Sequence, residues 1–265
     1  MNTLTTTFKE AVRFGPQFGL SCAIPSVYTA EILAGSAFDF LLIDAEHPPT
    51  NPGIVHAQLM ALAGSPAAAL IKLPSLEPNL LKQYLDLGPD GLMVPNIDTA
   101  ADARNFVNLT RYPPKGGRGI AAAVRATGYT RDKAYASKAE RGLCRSVVIE
   151  SKAGIDNLES ICEVDGIDVV FFGPSDLAAQ LGHIGQPANP AVVAAVEDGI
   201  KRVCKAGCAA GVVSGEADID RYRGLGVTMF VVGSEMSLFA QAVDGLAERI
   251  QNKYRAARRQ TEGVD

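Results

Sequence analysis

The chain has 265 residues, of which 47% are hydrophobic and 20% charged, and its 25 basic and 29 acidic side chains leave a net charge of −4. A chain of about 250 residues fits a single α/β barrel and can bury a large core without disulfides or metals. The charge balance argues against nucleic acid or a membrane surface as a partner. Residues 1–17 lack the apolar segment of a signal peptide, and the apolar runs are too short to span a bilayer. Five cysteines without framework spacing predict reduced thiols and a cytoplasmic protein.

Eight short apolar runs recur along the chain. Their continuous apolar character, without strict alternation, is typical of parallel strands that are covered on both faces. The predicted strands are Phe18–Ile24, Phe38–Ile43, Ala67–Leu73, Gly91–Pro95, Ser146–Glu150, Asp168–Gly173, Cys208–Val213 and Thr228–Gly233.

Amphipathic segments with helical periodicity lie between these runs. The predicted helices are Ser26–Leu33, Leu80–Leu87, Thr99–Leu109, Asn157–Val164, Pro190–Lys205 and Asp218–Leu225. Eight strands alternating with helices predict one (β/α)₈ barrel domain over residues 1–265. The alternative, an open doubly wound sheet, usually carries a glycine-rich phosphate turn after its first strand, and here Ala-Ile-Pro-Ser stands at that place.

The second apolar run ends in Asp44-Ala-Glu46-His47, at the barrel face where catalytic residues gather. A histidine beside carboxylates has a fixed tautomer and suits proton transfer near neutral pH. The alternative is a loop histidine satisfied by its neighbours. His56 and His183 are expected to be surface or packing residues.

Glu150 and Asp176 close the fifth and sixth runs, so neighbouring strands would bring two carboxylates to one rim. Two such carboxylates suit a hard divalent ion such as Mg²⁺ or Mn²⁺. The alternative is structural: Asp176 would cap a helix beginning at Leu177, and Glu150 would pair with Lys152.

Two cations complete the candidate site. Lys72 closes the third run, where its charge could stabilise an enolate oxygen or its amine could form a Schiff base; it could equally be a structural partner of Glu46 or Asp44. Arg118 lies in a glycine-rich loop whose spacing does not match a nucleotide-binding motif, and a mobile loop could bring it close to an anion.

Several segments in this order resemble the HpcH/HpaI aldolase family, the class II pyruvate aldolases. The similarity extends from about residue 17 to about residue 245. The segments that carry it are Phe38–His47 (FDFLLIDAEH), Leu92–Pro95, Arg111–Pro114, Gly117–Gly119, Ile149–Glu150 and Gly173–Leu177 (GPSDL).

The resemblance implies a (β/α)₈ barrel with a C-terminal helix exchanged between subunits of a homo-oligomer, a hexamer or trimer of dimers. It implies Mg²⁺, Mn²⁺ or Co²⁺ on Glu150 and Asp176, and proton transfer by His47, oriented by Asp44. The substrate carboxylate would be held by backbone N–H groups of the GPSDL turn, at Ser175 and Asp176. The expected substrate-binding residues are Gly173, Ser175, Arg118 and Val213.

The implied activity is cleavage of a 4-hydroxy-2-oxo acid to an aldehyde and a pyruvate enolate that is stabilised by the metal and Lys72. Three alternatives stay open: a metal-dependent 2-oxo acid decarboxylase, a Schiff-base aldolase using Lys72, and a barrel that binds a 2-oxo acid without turnover. The small-molecule partners would be a 2-oxo acid and an aldehyde.

Three positions depart from the family pattern. Lys72 stands where an arginine contacts the keto oxygen, and lysine lacks the planar two-donor fork of arginine. Val148 replaces a glutamine, and Ser21 replaces an aromatic residue and widens the pocket. All three positions surround the expected keto acid, so the substrate or the support of the enolate is expected to differ.

Overall fold

Eight parallel strands form a closed barrel in chain order, and each strand pairs with its sequence neighbours, β1 with β8 included. The computed structural model describes residues 6–262, with side chains described up to residue 254. The strands are β1 Gln17–Cys22, β2 Phe40–Asp44, β3 Ala68–Lys72, β4 Gly91–Val94, β5 Cys144–Ile149, β6 Val169–Phe172, β7 Ala209–Val213 and β8 Val227–Ser234. The predicted barrel and all eight predicted strands are confirmed. The extreme ends of the predicted domain, residues 1–5 and 263–265, lie outside the described residues.

Helices surround the barrel. They are α1 Phe8–Phe14, α2 Val27–Ala34, α3 Pro52–Ala61, α4 Pro78–Asp86, α5 Ala100–Thr110, α6 Tyr135–Gly142, α7 Lys152–Asp156, α8 Leu158–Cys162, α9 Pro174–Gln180, α10 Pro190–Lys205, α11 Ile219–Gly224 and α12 Glu235–Glu262. The six helices that were predicted with residue ranges are present. The predicted segment Asn157–Val164 contains the shorter helix α8, which directly follows α7.

The barrel interior is filled by side chains. Phe40 is fully buried inside it, and Phe8 and Val12 of α1 pack into the same cluster and close the N-terminal end. Gly19 leaves the space that the Phe40 ring occupies, because a Cβ there would lie 2.4 Å from the ring. Gly211 does the same for Phe171. The closed N-terminal end leaves the C-terminal end of the barrel for a site.

Helix α12 is the longest element, with 28 residues, and it contacts its own barrel mainly at β1 and β8. A stripe of exposed apolar side chains runs along it. The stripe consists of Phe239, Val243, Leu246, Ile250 and Tyr254. Within residues 6–262, no helix combines the length and apolar character needed to cross a membrane.

Candidate active site

A cavity of about 350 Å³ opens at the C-terminal ends of the strands. It is lined by every predicted site residue except Arg118. The lining residues are Ser21, Leu42, Asp44, His47, Lys72, Met93, Val148, Glu150, Phe171, Gly173, Pro174, Ser175, Asp176, Val213, Val231, Gly233, Ser234 and Ser237. The floor is apolar, and the charged groups come from the ends of β2, β3, β5 and β6.

Asp44 ends β2 and is buried. One oxygen of its carboxylate accepts hydrogen bonds from the backbone N–H groups of Glu46, at 2.9 Å, and His47, at 3.3 Å. An Asx turn of this kind fixes the backbone after the strand. Asp44 therefore positions the His47 backbone, and its hydrogen bonds with the described residues do not include the imidazole ring.

Glu46 links the side chains of Lys72 and His47 in the site. Its Oε2 lies 2.5 Å from Lys72 Nζ and 3.3 Å from His47 Nε2, and Lys72 Nζ lies 3.3 Å from the same ring nitrogen. Lys72 and Glu46 are mostly buried, whereas the His47 side chain is 62% exposed. Of the alternatives for Lys72, the structure shows pairing with Glu46. The sequence offered Glu46 and Asp44 as alternative structural partners of Lys72, and it is Glu46 that pairs with it, although Asp44 and Lys72 are register partners on β2 and β3.

Glu150 follows β5 directly, and its side chain is buried. Its Oε1 accepts a hydrogen bond from the backbone N–H of Asn96 at 2.7 Å, and Asn96 holds a left-handed backbone conformation with φ 56°. Burial raises the pKa of Glu150, and nearby Glu46 and Asp176 raise it further, against the Asn96 hydrogen bond and the Lys72 charge. A buried carboxylate that faces other carboxylates is stabilised by a cation.

The turn at Gly173 brings a second carboxylate to the same rim. Gly173 follows β6, and a Cβ there would lie 3.1 Å from Glu150 Oε2. The glycine therefore allows the backbone of this turn to lie close to the Glu150 carboxylate. Helix α9 begins at Pro174, earlier than the predicted start at Leu177, and Asp176 lies exposed in its first turn. The alternative pairing of Glu150 with Lys152 is not observed, since Lys152 pairs with Asp156 at 3.6 Å.

The donor set of this rim fits a hard divalent ion. Glu150 Oε2 receives no hydrogen bond from the described residues, and Asp176 is close enough to act on the pKa of Glu150. Across the described part of the chain, no group of three or more His, Cys, Asp or Glu side chains is arranged to hold a metal. Two carboxylates leave several coordination positions for water and substrate oxygens, as Mg²⁺ requires.

Arg118 does not reach this cavity. Its buried guanidinium pairs with Asp86 at 3.2 Å and lies 4.5 Å from the centre of the Tyr112 ring. It lines a different cavity, together with Leu85 and Leu143, which precede β4 and β5 at the N-terminal end of the barrel. The Asp86 pair and the aromatic stacking hold the loop inward, where a mobile loop over the site was expected.

Residues 17–242 match the sequence profile of the HpcH/HpaI aldolase/citrate lyase family. The chain belongs to this family, which confirms the resemblance. Its fold and the carboxylate-lined cavity at the C-terminal end of the barrel are consistent with that assignment.

Two relatives define the similarity further. A hydroxypyruvate/pyruvate aldolase of Deinococcus radiodurans is 43% identical over 96% of this chain and 93% of its own. A 4-hydroxy-2-oxo-heptane-1,7-dioate aldolase of Klebsiella pneumoniae is 41% identical over 93% of this chain and 94% of its own. The protein is therefore an aldolase, a carbon–carbon lyase.

Solved structures share the barrel. An HpcH/HpaI aldolase/citrate lyase family protein from Burkholderia cenocepacia has a TM-score of 0.89 and 35% identity, over 93% of this chain and 100% of its own. The citrate lyase beta subunit of Mycobacterium tuberculosis, complexed with oxaloacetate and magnesium, has a TM-score of 0.55 and 16% identity, over 83% of this chain and 92% of its own. At that identity, the second likeness shows the fold alone.

Proposed function

We propose that this protein is a divalent-metal-dependent aldolase that cleaves a 4-hydroxy-2-oxo acid to pyruvate and an aldehyde. One observation carries the proposal: the buried Glu150 carboxylate lines the same cavity as Asp176 and the Lys72–Glu46–His47 cluster. The names of the two aldolase relatives support the substrate class.

Glu150 and Asp176 would hold the ion, for which Mg²⁺, Mn²⁺ and Co²⁺ are the candidates. When bound there, a divalent ion supplies Lewis-acid polarisation of a keto oxygen. The magnesium and oxaloacetate in the distantly related citrate lyase subunit are consistent with this chemistry. Gly173 and Ser175 would bind the oxo-acid carboxylate and Val213 would contact the substrate; all three line the cavity.

Three side chains of the cavity would have separate roles in the reaction. His47 takes the proton of the 4-hydroxyl group, directly or through water, as the bond between C3 and C4 breaks. Asp44 holds the backbone from which His47 projects. Lys72 places a positive charge beside the oxygen that becomes negative only during cleavage, so its contribution is to the transition state.

We further propose that the working form is a homo-oligomer in the cytoplasm, a hexamer or trimer of dimers, in which α12 is exchanged between subunits. The exposed apolar stripe on α12 supports this proposal. A stripe of this kind is typical of a helix that is covered in its functional assembly.

Chelation tests the proposed metal dependence. We expect excess EDTA to abolish release of pyruvate from a 4-hydroxy-2-oxo acid, and Mg²⁺, Mn²⁺ or Co²⁺ to restore it. Full activity in excess chelator would contradict the proposal.

A further inference from the structure

The cavity has two chemically different sides. The charged groups lie at the ends of β2, β3, β5 and β6, whereas the wall formed by β1, β8 and the start of α12 carries hydroxyl groups. In a barrel of eight strands in chain order, β5 lies across the mouth from β1. A substrate whose oxo-acid end is held at Glu150 and Asp176 therefore directs its other end toward the hydroxyl wall.

Three serines form this wall. Ser21 on β1 is the register partner of Ser234 on β8, and both line the cavity with Ser237. Ser234 Oγ donates to Ser237 Oγ at 3.1 Å, and Ser237 Oγ donates to the Ser234 carbonyl oxygen at 2.9 Å. The protons of both hydroxyl groups are thus used in hydrogen bonds within this pair of residues, whereas the two oxygens can still accept a hydrogen bond from a substrate. Ser21 Oγ makes no hydrogen bond with the described residues and can both donate and accept.

Negative charge already occupies the protein side of this wall. Glu235, at the start of α12, is buried, and its carboxylate accepts the backbone N–H groups of Ala23, at 2.8 Å, and Ile24, at 2.7 Å. It also accepts a hydrogen bond from the backbone N–H of Met236, so the carboxylate of Glu235 already occupies the anion-binding position at the start of α12. Among the described residues that line the cavity, Lys72 supplies the ammonium group, and it pairs with Glu46 beyond the end of β2.

We infer that the Ser21–Ser234–Ser237 wall binds the aldehyde half of the substrate and selects a neutral, hydroxylated aldehyde over an aliphatic one or one with a distal carboxylate. This inference rests on the proposed function. A substrate hydroxyl on this wall donates to Ser234 or Ser237 and exchanges hydrogen bonds with Ser21. An alkyl group leaves these polar atoms without partners, and a carboxylate meets the field of Glu235 without a counter-charge.

Aldol addition to pyruvate tests the inference with three acceptors: glycolaldehyde, propanal, which has the same number of non-hydrogen atoms, and succinic semialdehyde. The quantity of interest is the ratio of kcat/KM for glycolaldehyde to that for propanal, compared between wild type and Ser21→Ala. Comparing variants cancels the intrinsic reactivities of the aldehydes. Ser160→Ala is the matched control, because Ser160 is exposed on α8, away from the barrel mouth, and donates to the Asn157 carbonyl.

We expect wild type to favour glycolaldehyde over both other acceptors. Ser21→Ala should lower the glycolaldehyde-to-propanal ratio by up to about tenfold, the loss of one net hydrogen bond, and Ser160→Ala should leave it unchanged. An equal or greater kcat/KM for propanal or succinic semialdehyde in wild type would overturn the inference. So would an unchanged ratio in Ser21→Ala.

A separate readout distinguishes failure of this inference from failure of the proposed function. Deuterium exchange into the methyl group of pyruvate requires enolisation and no aldehyde. Exchange with no preference among the aldehydes would refute the hydroxyl subsite and leave the proposed function standing. Absence of exchange together with absence of aldol product would refute both.

Discussion

Lys72 lies at the centre of the charged cluster in the cavity. Its Nζ lies between Glu46 Oε2, at 2.5 Å, and His47 Nε2, at 3.3 Å, inside the cavity. The ammonium group of a lysine is a point charge on a flexible side chain, so it can move toward a nearby oxygen as negative charge develops there. It cannot make the two parallel hydrogen bonds of an arginine. The carboxylate of Glu46 holds this point charge in place.

Lys72→Met is expected to lower kcat by about 10²–10³-fold, because the proposed function makes Lys72 the charged donor to the developing oxyanion. Metal affinity should be unchanged, because Lys72 is not one of the proposed ligands. Steady-state kinetics and metal titration measure the two effects, with Lys201→Met, an exposed lysine on α10, as the control. Wild-type turnover in Lys72→Met would contradict the role, and a substrate adduct on Lys72 after borohydride reduction would replace it with Schiff-base chemistry.

Glu150 predicts a pH-dependent difference in stability in the metal-free protein. Burial, the first cause, raises its pKa in the folded state above the value of the unfolded chain. The folded state therefore favours the protonated form, and the stability contribution of this group is full at low pH and is lost as the pH rises through the raised pKa. Glu150→Gln has no such titration and can still accept the Asn96 N–H.

We expect metal-free Glu150→Gln to become more stable than wild type as the pH is raised from 4 toward neutrality, with the difference vanishing at the acidic end. Denaturant unfolding at several pH values measures it. The same variant should bind divalent metal more weakly while keeping its native circular dichroism spectrum, since an amide is the poorer ligand. Loss of that spectrum would instead show a structural role for Glu150.

At the residue scale, the sequence predicted the residues of the cavity well and their contacts less well. Asp44, His47, Lys72, Glu150 and Asp176 could be found because strand ends converge at one face of a barrel. The sequence left Glu46 and Asp44 open as partners of Lys72, because the choice between them depends on side-chain rotamers, which strand spacing does not specify. The same limit applies to Arg118, since the point at which a loop leaves a strand does not fix the direction in which the loop folds.

At the scale of elements, α10 packs against the barrel through a glycine. Gly199 is buried in the middle of α10, and a Cβ there would lie 2.6 Å from the Phe172 ring on β6. Phe172 itself is fully buried, so it cannot move into solvent. The close approach of this helix to β6, the strand that leads into the Gly173 turn, requires a residue without a side chain.

Gly199→Ala is therefore expected to destabilise the protein by about 1–3 kcal/mol through overpacking. The matched control is Gly142→Ala in α6, where a Cβ would meet nothing within 4 Å; this change should be neutral or stabilise by up to about 1 kcal/mol. Chemical denaturation measures both. A Gly199→Ala variant as stable as Gly142→Ala would show that the α10–β6 contact relaxes freely.

Sequence periodicity predicted six of the twelve described helices, and the helices without a predicted range include α3, which buries Val55 and Leu59, and α6, which buries no residue. Helix α10 was predicted with the bounds that it has, because a strong apolar stripe and the glycine after it mark it out. Helix α6 has no buried residue, so its sequence carries no core-facing pattern to detect. Helix α1 is short, and its role in closing the barrel depends on tertiary packing.

At the scale of the whole molecule, α12 extends beyond what its own barrel covers. Its exposed stripe places apolar side chains at intervals of three and four residues, the spacing of one helix face. A helix with such a face is stable when another surface buries it. The proposed exchange of α12 between subunits would supply that surface.

Val243→Asp, in the middle of the stripe, is expected to shift the protein from an oligomer to smaller species. Size-exclusion chromatography with light scattering measures this change. Asp244→Asn, at a polar neighbour on the same helix, serves as the control and should keep the wild-type mass. A monomeric wild type, or an unchanged mass for Val243→Asp, would contradict the proposed role of α12.

The proposed function requires that Glu150 and Asp176 hold a divalent ion and that pyruvate enolises only when the ion is bound. Proton NMR of pyruvate with the protein in D₂O tests it most directly, because methyl exchange requires no knowledge of the aldehyde. We predict rapid loss of the methyl signal with Mg²⁺, Mn²⁺ or Co²⁺ present, and little loss in EDTA or with Glu150→Gln. Exchange at the wild-type rate in excess EDTA, or in Glu150→Gln, would contradict metal binding by Glu150 and Asp176 as the basis of enolisation.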